Sequence, residues 1–93
     1  MDLKITNYKN YFKITGNLTK KNMTVFNKIF EDVFETKQDL TINIEEVNSI
    51  DDTGFDAMAE LYSLSKTDGR SMSVIGDGNR AVYNYFNSEA RVA

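Results

Sequence analysis

The chain has 93 residues, 41% of them hydrophobic and 12% aromatic, which sets it up as one globular domain around one modest core rather than a disordered segment. With 11 basic against 14 acidic residues, a net charge of -3 and no basic cluster larger than Lys20-Lys21, binding driven by counterion release is excluded and no nucleic-acid partner is expected. The lack of cysteine excludes disulfides and thiolate metal sites and makes the cytoplasm the expected compartment. No apolar run reaches the roughly 20 residues of a membrane span, and no signal-peptide core stands in MDLKITNYKN.

Leu3 and Ile5, then Phe12 and Ile14, alternate with the polar Lys4, Thr6, Lys13 and Thr15. Such alternation predicts two strands covered on one face, and a tight turn within residues 7–10 predicts an antiparallel hairpin. Next, Phe26, Ile29, Phe30, Val33 and Phe34 follow the i, i+3, i+4, i+7, i+8 stripe of an amphipathic helix. Thr19 or Asn22 is the expected cap at its start, and Thr36-Lys37-Gln38 ends it. Leu40, Ile42 and Ile44 predict a third strand. Phe55, Ala57, Met58, Leu61, Tyr62 and Leu64 predict a second helix that stops at Asp68-Gly69. Met72 and Val74 predict a fourth strand, and Ala81, Val82, Tyr85 and Phe86 a short third helix. Each intervening helix permits a crossover between parallel strands. The expected fold is therefore α/β, one domain over residues 1–93, with a mixed four-stranded sheet and three helices packed on one face.

Between the third strand and the second helix lies Ser49-Ile50-Asp51-Asp52-Thr53-Gly54-Phe55. The first amides of a helix lack partners and the positive end of its dipole points outward, so negative charge is stabilised there. Asp52 or Thr53 is the expected N-cap, and Thr53 with Asp56 has the spacing of a capping box. Capping accounts for the polar residues but for neither the second acid nor Gly54, whose place in a first helical turn costs about 1 kcal/mol against alanine. The carboxyl ends of parallel strands are also where α/β sheets carry their sites.

Residues 40–76, with an alternating strand, Ile50-Asp51-Asp52-Thr53-Gly54-Phe55, a helix, Asp68-Gly69 and the strand from Met72 to Ile75, resemble the sulfate transporter and anti-sigma factor antagonist (STAS) family. The similarity extends to Ile14-Thr15-Gly16-Asn17-Leu18 and so spans most of the chain. In antagonists of that family the pattern is Asp-Ser-Ser/Thr-Gly-Leu, and the serine after the aspartate is phosphorylated by an anti-sigma factor kinase. The resemblance matches Asp51 to the aspartate, Thr53 to the second hydroxyl, Gly54 to the glycine and Phe55 to the leucine, and it puts Asp52 at the acceptor position. A carboxylate carries about -1 where phosphoserine carries roughly -1.5 to -2, so Asp52 implies a permanent, partial imitation of the modified state. Thr53 is then the hydroxyl of this loop left for a kinase. The family's Gly-Glu-x-Asp after the second strand reads Gly16-Asn17-Leu18-Thr19 here, without either acid. The resemblance implies a non-enzymatic interaction module for partner switching, contacting an anti-sigma factor or serine kinase through Asp51, Asp52, Thr53, Gly54 and Phe55. A structural STAS subunit of a transporter or lipid-transport ABC complex is the alternative it leaves open.

Other patterns weigh less. A response-regulator receiver also carries an aspartate at a strand end, but it needs an acidic pair after its first strand, a lysine after its last and a sheet buried on both faces. Gly76-Asp77-Gly78-Asn79-Arg80-Ala81 fits G-x-G-x-x-A, yet no second strand with a ribose-binding acid follows within the 93 residues, so a tight turn with an Asp or Asn cap is the expectation. Glu45, Glu46, Asp51, Asp52 and Asp56 supply carboxylates for Mg²⁺ in principle, but solvated charges are the simpler reading. With no histidine or cysteine, candidates for general bases and nucleophiles are restricted to carboxylates, lysines and hydroxyls. No enzyme activity, cofactor or metal is expected. Tyr8, Tyr11 and Tyr83 fall outside the helix stripes, and covering the open sheet face or a homodimer contact are both open to them.

Overall fold

The computed structural model describes residues 2–66, 69–76, 78, 80 and 82–85. The two predicted N-terminal strands are β1 (Leu3–Tyr8) and β2 (Tyr11–Leu18), paired antiparallel with Leu3 opposite Gly16 and Tyr8 opposite Tyr11. Lys9, at φ 55, takes the left-handed conformation that the tight turn demands. After β2 a 3-10 turn over Lys20–Asn22 leads into α1 (Met23–Phe30) and α2 (Val33–Thr36), which are followed by β3 (Asp39–Ile50), α3 (Asp52–Leu64) and β4 (Ser71–Ile75). Strands β2, β3 and β4 run parallel to one another in the order β1-β2-β3-β4. Arg80 and residues 82–85 are helical. Ala81 and Phe86 of that predicted helix lie outside the described residues, as does Asp68.

One sheet face carries the core. Ile14, Leu18, Leu40, Ile42 and Ile44 are almost wholly buried, each contributing about 1.5–3 kcal/mol by leaving water. Against them pack Phe26 and Phe30 of α1, Val33 and Phe34 of α2, and Met58, Leu61 and Tyr62 of α3, with Val82 completing the cluster. The rings of Phe12 and Phe26 lie 5.0 and 4.7 Å from that of Phe30, a tilted stack that pins α1 to β2. On the other face the side chains meet water and each other. Lys13 pairs with Glu46 at 2.6 Å, and the Asn43 amide donates to the Tyr11 hydroxyl at 2.7 Å. The charge and hydrogen bond of Glu46 raise the Lys13 ammonium above its ordinary value, but the exposure of both groups leaves the pair little weight in stability. Tyr8 and Tyr11 lie at this open face, whereas Tyr83 packs against the core.

Three predicted boundaries differ. The single stripe from Phe26 to Phe34 is two helices, broken at Asp32, whose φ of -118 and ψ of 21 are not helical. The break lets Phe30, Val33 and Phe34 all reach the core while Ile29 turns outward. Neither Thr19 nor Asn22 makes a side-chain cap; the Asn22 amide donates instead to the Asn17 carbonyl at 2.9 Å. Helix α3 ends at Leu64, before Gly69, with Ser65 as its C-cap.

Strand β3 is longer than the predicted segment because its register against β2 slips twice, between Lys13 and Thr15 and between Gly16 and Asn17. Each slip adds a residue on the β3 side, a bulge, so Val47 returns to the buried face after the exposed pair Glu45-Glu46. The first bulge explains the two glycines of the G-x-G-x-x-A pattern. A Cβ on Gly76 would lie 2.7 Å from the Glu45 nitrogen, and one on Gly78 2.1 Å from the Glu45 carbonyl oxygen. They permit this chain's own backbone to close against β3. The candidate caps Asp77 and Asn79 lie outside the described residues.

Ile42, fully buried in the centre of β3, is the most sensitive test of this packing. Ile42→Ala is expected to lower stability by about 2–5 kcal/mol, read as a drop in the urea midpoint at unchanged slope.

Candidate functional site

The loops after β2 and β3 meet at the carboxyl end of the sheet, and one carboxylate joins them. Asp51, exposed and extended at φ -105 and ψ -178, is the N-cap of α3. Its Oδ1 accepts the Gly54 amide at 2.9 Å, and its Oδ2 accepts the Lys20 amide, also at 2.9 Å, at the start of the 3-10 turn after β2. Its own amide donates to the Leu18 carbonyl at 3.3 Å. The expected cap was Asp52 or Thr53; Asp51 takes the role because extended backbone at that position swings its carboxylate over the first turn of α3. The Lys20 amide, and next the Gly54 amide, hold the Asp51 carboxyl below its ordinary value, against a smaller opposing effect of partial desolvation.

Gly54 is buried, and a Cβ there would stand 2.0 Å from the Leu18 carbonyl oxygen. The glycine therefore serves a close approach between α3 and the end of β2 within the chain itself. Phe55 is half-buried, with its ring edge-on to Tyr85 at 4.8 Å, so the helical residues 82–85 back the start of α3. Thr53 is half-buried.

Asp52 behaves differently from its neighbour. It is the first residue of α3, it is exposed, and its carboxylate has no hydrogen-bond partner among the described residues. Asp56 and Glu60 follow at i+4 and i+8 and are also exposed, so the three acids form one ridge along the helix. The helix dipole favours the first of them only; the other two do nothing for α3 that solvent does not do.

Sequence reasoning missed the β2 side of the site. The Ser49 hydroxyl donates to the Asn17 side-chain oxygen at 2.8 Å, so Asn17, Lys20 and Asn22 belong to the same junction as Asp51. The available signal was topological: two adjacent parallel strands bring the loops at their carboxyl ends side by side. Among the described residues no group of three metal-ligating side chains occurs, and no helix is long and apolar enough to cross a membrane.

No family model and no curated protein matches the chain. Among solved structures it is similar to that of a protein called Mglu, with a TM-score of 0.62 and 17% sequence identity over 82% of this chain. At that identity the likeness is one of fold, and the chain spans 20% of the length of the Mglu chain.

Two substitutions test the junction. Gly54→Ala is expected to cost about 1–3 kcal/mol because the added methyl meets fixed backbone, measured by chemical denaturation. Asp51 has a folded value below its ordinary 3.8, so its contribution is complete above the unfolded value and is lost as pH falls through the folded one. The gap in urea midpoint between the wild type and Asp51→Asn is therefore expected to be widest near neutral pH and to close below 3.8.

Proposed function

We propose that the chain is a non-enzymatic protein-interaction module of the anti-sigma factor antagonist kind, acting in the cytoplasm and docking its partner through the start and exposed side of α3. The observation that supports it is the division of labour between adjacent acids. Asp51 is occupied by two backbone amides, while Asp52 presents an exposed carboxylate at the acceptor position of the STAS-like pattern. A fixed negative charge at a helix N-terminus reproduces part of what a phosphoserine does there: it is held by the dipole and remains open to a basic partner. Thr53, beside it, is the residue through which a kinase can add further charge. The partner in this reading is an anti-sigma factor or serine kinase with a basic surface. The absence of histidine and cysteine leaves no nucleophile–base pair of the usual types, in keeping with binding rather than turnover.

A structural role in a transporter or lipid-transport complex is the second reading. It rests on the same STAS-like pattern from Asp51 to Phe55. Co-purification from the native cell separates the two, with a kinase or anti-sigma factor expected on the first reading and an ATPase or membrane complex on the second.

With the co-purified kinase in hand, Asp52→Lys is expected to weaken binding by about tenfold or more, since like charges across an interface cost several kcal/mol. Asp52→Ser is expected to gain phosphate at residue 52 by mass spectrometry. Unchanged affinity of Asp52→Lys would remove this surface from the interaction.

A further inference from the structure

Helices α1 and α3 leave a groove of about 210 Å³ between their C-terminal halves, with Phe26, Phe30 and Leu61 at its base and Ala57 and Leu64 on its wall. Leu64 belongs to the apolar stripe of α3 by spacing, yet it is 47% exposed. The charged residues that line this groove are Glu31 and Glu60. Through Phe30, Glu31 and Leu64 it continues into a hollow of about 140 Å³ bordered by Asp32, Glu35 and Arg70. The Arg70 guanidinium lies over the Phe34 ring at 5.4 Å; among the described residues four carboxylates, Glu31, Asp32, Glu35 and Glu60, and one cation line the two hollows. A hydrogen bond with Asp32, and then the like charge of Asp32, raise the Glu35 carboxyl above its ordinary value, a sign of crowded negative charge at this end.

The shape bears on the kind of occupant. Small-molecule sites enclose most of their ligand, whereas this groove is shallow and open to solvent along one side. A groove lined by apolar residues of two helices suits a third helix that sets an apolar anchor into it. Its border asks for positive charge on either side of that anchor.

We propose that the groove between α1 and α3 docks a basic amphipathic helix of a protein partner, with one apolar side chain against Phe30, Leu61 and Leu64 and lysine or arginine side chains against Glu31, Glu60 and the Asp32–Glu35 pair. The surface is separate from the one at Asp52. The 13 residues of α3, at about 1.5 Å each, put Leu64 roughly 18 Å from Asp52.

The probe is a labelled synthetic helical peptide with leucine along one face and lysine on both flanks, beside a twin in which glutamate replaces every lysine. Titrated into the full chain, the lysine peptide is expected to shift the NMR amide signals of Phe26, Asn27, Phe30, Leu61 and Leu64, and to lose affinity with added salt. Leu64→Glu and Glu60→Lys, both at exposed positions and checked for unchanged circular dichroism, are each expected to weaken it about tenfold, while Asp52→Lys leaves this groove's affinity as it was. The inference is overturned if the lysine peptide does not bind, if the glutamate twin binds as well, if the shifts centre on Asp52 or the open sheet face, or if both groove variants keep wild-type affinity. Sedimentation showing a dimer abolished by Leu64→Glu would also overturn it, by making a second copy of the chain the occupant.

Discussion

A single carboxylate, that of Asp51, accepts an amide hydrogen from each of two loops that are far apart in sequence and adjacent in space. The first turn of any helix offers amides with no internal partner, and here the cap that satisfies one of them also ties down the 3-10 turn after β2. Helix α3 is thereby set at a fixed distance from the end of β2. Gly54 is the residue that makes the distance attainable, since its missing side chain is what lets the Leu18 carbonyl sit against the helix. With the Asp51 carboxylate bonded to the Lys20 and Gly54 amides, Asp52, one residue on, is left as the exposed acid without an amide to accept. An exposed acid beside a satisfied one is a consequence of that geometry.

The sheet reaches the same end by an equally local device. Two bulges lengthen β3 relative to β2, and without the first of them Val47 would fall on the watered face. The bulge at Glu45 creates an irregular backbone surface that only residues without a Cβ can approach closely, which is the place Gly76 and Gly78 occupy. A glycine spacing that in other contexts cradles a phosphate is here filled by this chain's own backbone. The two glycine contacts, at Leu18 and at Glu45, thus sit on either side of β3 and brace the strand that carries the site.

Helix α3 connects two surfaces of like sign. Its start presents Asp52, its length the ridge continued by Asp56 and Glu60, and its end the groove shared with α1. A net charge of -3 is modest, and the exposed acids Asp52, Asp56 and Glu60 give this side of α3 its local negative charge.

Elements whose pattern is set by short-range periodicity were legible in the residues alone: four strands from alternation, the hairpin from its turn, α3 from its stripe, and a sheet covered on one face from the polar alternates. These follow from side-chain spacing, which is a property of neighbours along the chain. The identity of the N-cap, the break at Asp32, the outward turn of Ile29 and Leu64, the second half of β3 and the purpose of Gly54, Gly76 and Gly78 were not legible, because each depends on what approaches from a distant part of the sequence. Asp51 and Asp52 are chemically identical and adjacent, and the pattern along the chain pointed to Asp52 or Thr53 as the cap rather than to Asp51, which takes that role. Only the arrival of the Lys20 amide and the Leu18 carbonyl from β2 distinguishes them, and that is a contact between residues about thirty positions apart, which no local pattern encodes.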